Sequence, residues 1–170
     1  KNTAAICLKN ISLYSIAGLM FYIVGYSLMY TDVDGGWIGS FDFFYNPSSA
    51  ELALLNATDA GKDAANSALL KGATYSSMSD WFFQMVFVAT AASIVSGTLA
   101  ERIKIIPFLV FVVFLSAIVY PIQGSWVWGA GWLSELGFSD FAGSTLVHST
   151  GGWAALAGAL VLGARTGKYR

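Results

Sequence analysis

The chain has 170 residues, of which 56% are hydrophobic and only 11% charged, with a net charge of −1 and a mean hydropathy of +0.62. Soluble domains carry about 25% charged residues, so this composition excludes an ordinary soluble domain. It also argues against a nucleic-acid partner or a polybasic attachment to anionic lipid.

One cysteine, Cys7, excludes an intrachain disulfide and a cysteine-built metal centre. The opening "KN" and the closing "GKYR" read as loop sequence, with no initiator methionine and no basic leader. A segment of a longer protein is the expectation.

A helix rises about 1.5 Å per residue through a hydrocarbon layer about 30 Å thick, so roughly 20 uncharged residues make one crossing. Four stretches meet that test: residues 11–30, 81–100, 105–129 and 141–164. The expected fold class is an all-α, polytopic membrane bundle, one unit over 1–170. In the third stretch Pro107 sits in the first turn, where its missing N–H costs little, whereas Pro121 falls inside and should kink the helix or end it early.

Between the first two stretches lies the long 31–80 loop. Its opening "TDVDGG" sets Asp32 and Asp34 beside Gly35 and Gly36, but the later ligands and the glutamate of a calcium loop are missing, so no metal is expected. The part from Ala50 to Ser77 suggests one or two short surface helices, and Asn56-Ala57-Thr58 is a formal glycosylation sequon.

Lys1 and Lys9 precede the first span, Arg102 and Lys104 separate the second from the third, and Arg165, Lys168 and Arg170 follow the fourth. Positively charged connections stay in the cytoplasm. Both ends of the segment are therefore expected inside and the 31–80 loop, with only Lys62 and Lys71, outside.

The fourth stretch carries His148, the only histidine. Helical stagger sets Asp140, Ser144, His148, Gly152 and Ala155 on one polar or small face, with Leu146, Trp153, Leu156 and Leu160 opposite, toward lipid. Ala154 with Gly158 and Ala155 with Ala159 are small pairs four apart, suited to close helix packing. His148 lies roughly 12 Å along the axis from Asp140. An imidazole at that depth either hydrogen-bonds a neighbouring helix or lines a substrate path.

Asp140 is placed to cap the outer start of this span. Trp126, Trp128 and Trp132 gather at the outer end of the third. Such a cluster is either an interfacial belt or a face that can hold a cation. Phe87, one turn past Phe83, reads as packing. No nucleophile with a base, no paired intramembrane carboxylates and no cofactor loop occur, so neither an enzyme nor a cofactor is expected.

Taken together, "FFQMVFVATAASIVSGTLAERIK", "VWGAGW" and "DFAGSTLVHSTGGWAALAGALVLGARTGKY" resemble the ammonium transporter family, on the Amt/Mep branch of the superfamily that includes the Rh proteins. The resemblance covers nearly all the chain and matches the second to fifth of the family's eleven helices, which form an inverted repeat.

It implies transport of ammonium or ammonia through a narrow hydrophobic pore in a homotrimer of the cell membrane, with a nitrogen-signal regulatory protein as a further cytoplasmic partner. Trp128 then corresponds to the tryptophan of the external recruitment site, Phe87 to one of two stacked gate phenylalanines, Asp140 to an acid supporting that site, and His148 to the first of twin pore histidines. The second histidine, the second gate phenylalanine and a recruitment-site serine have no counterpart here. Trp128 favours the Amt branch over the Rh branch. An ammonium sensor built on the same helices is the alternative, and a pore for water or gas a more distant one.

Overall fold

The computed structural model describes residues 3–46, 49 and 75–168. The expected surface helices, the Asn56 sequon, Lys1, Lys62, Lys71 and Arg170 lie outside the described residues. These are otherwise helical or loop, with no strand among them.

Four helices are long and apolar enough to cross a membrane: α1 (Thr3–Tyr30), α2 (Ser77–Leu99), α3 (Ile105–Ser125) and, after the single turn α4 (Trp132–Glu135), α5 (Ser144–Leu162). α2 packs against α1 and α5, and α1 against α3. The core is built from Leu13, Ala17 and Phe21 of α1, Val88, Ala92 and Val95 of α2, Phe108 and Val112 of α3 and Val147 of α5.

α1 buries Leu13, Ala17, Phe21, Val24 and Leu28, the three- and four-residue spacing of a single helix stripe. Lys9 lies on the same stripe, one turn before Leu13. The helix begins eight residues ahead of the expected span, and Lys9 is accommodated because its Nζ donates to Ser96 Oγ of α2 at 2.9 Å. α2 likewise starts four residues early, since Ser76 caps it by accepting from the Ser79 N–H at 3.2 Å. Asp80 therefore lies inside the first turns of α2 rather than marking its boundary.

Pro121 neither breaks α3 at once nor leaves it regular. A π turn, Leu115–Val119, precedes it, and the Tyr120 N–H reaches back to the Leu115 carbonyl. α3 then closes at Ser125, four residues short of residue 129, and the chain turns through 126–131. A second π turn, Phe21–Gly25 of α1, packs against the first.

A third π turn, Ser144–Ser149, opens α5. The His148 N–H bonds the Gly143 carbonyl at 3.0 Å, five residues back. The extra residue in this turn rotates the face assignment that a uniform 3.6-residue period gives. Leu146, expected toward lipid, is buried at 1% exposure, whereas Ala155, on the face expected to meet protein or water, is buried at 5% as that expectation allows. Ser144, His148 and Gly152 are exposed, as are Trp153, Leu156 and Leu160.

The helices alternate in direction, so the five described basic residues collect at one end of the bundle. Six of the seven described acids collect at the other or in its loops. At the basic end Arg102 donates to the Gly163 carbonyl after α5 at 2.6 Å, and to the Thr98 carbonyl of α2. Arg165 pairs with Glu101 at 2.6 Å.

Candidate functional site

The acidic end contains a cavity of about 450 Å³ between the last turn of α1, the first turns of α2 and the loop after α3. Aromatic and polar residues share its wall: Phe83, Phe87 and Trp128 with Tyr30, Asp80 and Gln84.

Trp128 is positioned by its own turn and by Asp140. Its backbone N–H bonds the Gly124 carbonyl at 3.0 Å, closing α3, and its indole Nε1 donates to the Asp140 carbonyl at 2.6 Å. The indole ring packs on Phe87, with centroids 5.5 Å apart and planes at 59°. Phe87 in turn meets Phe83 edge-on at 5.0 Å. The half-buried Phe87 therefore faces the turn after α3 and a cavity rather than lipid alone.

Asp140 is buried at 9% exposure. Its Oδ1 accepts from the N–H groups of Gly143 and Ser144, at 2.8 and 3.1 Å. Its Oδ2 accepts from the Thr145 and Leu146 N–H groups and the Thr145 hydroxyl, at 2.8, 2.9 and 2.7 Å. The carboxylate thus takes the free donors of the first turn of α5, where the helix dipole also favours negative charge. Burial by itself would raise its pKa, but the hydrogen bonds from Leu146, Thr145 and Gly143 outweigh that and hold it at about 2. Gly143 makes this wrap possible at φ +84°, a conformation costly for other residues.

His148 lies four residues beyond Ser144 on α5, exposed, and it is not among the residues lining this cavity. Trp128, Phe87 and Asp140 come together; His148 stands apart from them. Trp126 and Trp132 also separate from Trp128. They surround Trp37 of the 31–46 segment, which stacks on Trp132 at 4.5 Å and accepts a hydrogen bond from Trp126 Nε1 at 2.8 Å.

Sequence reasoning missed Trp37, Tyr30 and Gln84, and left Asp80 as the last residue of the 31–80 loop. One signal was legible: "SSMSD" places a capping serine and an acid at the start of an apolar run, a helix start containing Asp80. No cluster of three or more histidine, cysteine or acidic side chains suited to a metal occurs among the described residues. The arrangement offers aromatic faces and oxygen acceptors, chemistry suited to holding a small cation.

The ammonium transporter family model matches residues 1–170. Ammonium transporter Amt2 of Archaeoglobus fulgidus is 38% identical over 99% of this chain and 33% of its own length. Ammonium transporter 1 member 1 of Arabidopsis thaliana is 33% identical over 99% and 31%. The chain thus spans about a third of the length of these relatives. A solved structure, a sensor Amt protein, superposes with a TM-score of 0.75 at 40% identity, covering all of this chain and 38% of that one. With its apolar helices and a match along its whole length, this multi-pass membrane chain belongs to the ammonium transporter family.

Proposed function

We propose that the chain forms the recruitment and gating part of a protein that conducts ammonium, or ammonia derived from it, across the cell membrane. The observation that carries this reading is the packing of Trp128 on Phe87 beside a cavity, with Asp140 holding Trp128 through its carbonyl. Aromatic faces attract a cation before it sheds water. Bare charge is expensive deeper in the hydrocarbon, so deprotonation near Phe87 is the natural next step. His148 then offers an imidazole further along α5 to guide the neutral molecule or relay its proton.

In this reading the end bearing Arg102 and Arg165 faces the cytoplasm, in line with the basic-residue rule, and the Trp128 cavity faces outside. The protein assembles as a homotrimer in which helices beyond this chain complete each pore, and a nitrogen-signal regulatory protein docks on the cytoplasmic side. A chain with half of an inverted repeat cannot close a path alone. Ammonium-evoked current across proteoliposomes containing the full-length protein tests the reading.

The likeness to a sensor Amt protein favours one second reading, in which the same helices bind ammonium and signal. Specific ammonium binding without current, in folded protein, selects it.

A further inference from the structure

The cavity wall also carries polar groups among its aromatic rings. Asp80 lines it from α2 with Gln84 one turn on, and its Oδ2 accepts from the Tyr26 hydroxyl at 3.1 Å. An ionised carboxylate has about four lone-pair sites, so this donor leaves acceptor capacity. Tyr30 and Gln84 line the same wall, and each holds a buried oxygen behind it, the Tyr30 hydroxyl and Gln84 Oε1, with no hydrogen-bond partner among the described residues. Buried polar atoms without partners are uncommon and call for an explanation. Tyr30, Asp80 and Gln84 thus bring three oxygen-bearing side chains to one cavity, whose remaining lining is Tyr75, Phe83, Phe87, Trp128 and Phe141.

We propose that Asp80, Gln84 and Tyr30 form a second cation subsite beside the aromatic one, selective for a monovalent cation that donates N–H groups, ammonium or a small primary alkylammonium. A lone carboxylate with neutral oxygens does not suit a divalent metal, which requires six or more well-placed oxygens. The site needs a partner with several donors and one positive charge. Asp80 supplies the charge balance, the two orphaned acceptors orient the donors, and the rings receive the cation as it leaves. Asp80 thereby acts as an affinity- and specificity-determining residue ahead of Trp128.

This proposal deepens the transport reading and rests on it. Its test is equilibrium binding of labelled methylammonium to the purified full-length protein, with ammonium-evoked current measured on the same preparations. Wild type, Asp80→Asn and Asp80→Glu are compared after matching for oligomeric state and melting temperature.

The expected result is a tenfold or larger weakening of methylammonium binding in Asp80→Asn, substantial recovery in Asp80→Glu, and poor displacement by potassium. Unchanged binding in a folded Asp80→Asn protein overturns the subsite, as does binding that potassium displaces as readily as ammonium. If Asp80→Asn does not fold, Gln84→Leu and Tyr30→Phe take its place, and unchanged binding in both overturns the subsite. Wild-type protein without current but with Asp80-dependent binding retires transport and keeps the subsite. Current that is indifferent to Asp80→Asn retires the subsite and keeps transport.

Discussion

The indole N–H of Trp128 donates to the Asp140 carbonyl at 2.6 Å, while the Asp140 carboxylate collects five donors from residues 143–146. One residue therefore fixes the start of α5 with its side chain and a cavity-wall aromatic with its backbone. Asp140→Ala leaves buried N–H groups unpaired, and the expected loss is about 2–4 kcal/mol of stability. Asp140→Asn, keeping one acceptor oxygen, falls between. Denaturation of the purified protein in detergent, followed by Trp fluorescence, measures both.

The same carboxylate gives a pH dependence with a defined sign. Its pKa is about 2 in the folded chain and about 3.9 unfolded. The stability it contributes is fully present above about pH 4 and is lost as pH falls toward 2. Apparent melting temperatures should drop over that window in wild type, with a shallower drop in Asp140→Asn. Equal slopes in the two proteins contradict the assignment.

Gly143→Ala is expected to destabilise the protein by more than about 1 kcal/mol. The position needs φ +84°, and a Cβ there would meet Val147 Cγ2 at 2.6 Å and approach the Trp128 ring at 3.3 Å. Because Trp128 is one of the neighbours, the variant should also change Trp emission. Thermal melts with fluorescence spectra check both effects.

The two basic contacts at the opposite end should differ in weight. The Arg165–Glu101 pair is 50% and 72% exposed, and exposed pairs contribute little. Arg165→Ala should therefore shift the melting temperature hardly at all. Arg102 satisfies carbonyls at the ends of both α2 and α5, so Arg102→Ala should cost about 1–2 kcal/mol. Parallel melts of the two variants make the comparison.

Composition and run length were enough to locate four apolar helices, because hydrophobic run length is a local property of the chain. The capping role of Asp140 was legible for the same reason, from an acid just ahead of an apolar run. Helix faces were not. The π turn at Ser144–Ser149 adds a residue to one turn, and the 3.6-residue period then misplaces Leu146.

Partners distant in sequence were also hidden. Trp37 meets Trp126 and Trp132 across some ninety residues, and Tyr26 meets Asp80 only because α1 and α2 run side by side. Phe87 looked like packing until Trp128 was placed on it. Its role beside Trp128 came from resemblance to a family, and the geometry supplies their contact.

The most direct measurement is ammonium-evoked current across proteoliposomes of the full-length protein, with Trp128→Leu and His148→Ala compared after each is verified as folded. The account predicts a wild-type current whose apparent affinity falls in Trp128→Leu, and a loss of ammonium selectivity or of transport in His148→Ala. A wild-type current unaffected by both substitutions, or no current from well-folded wild type, would contradict it.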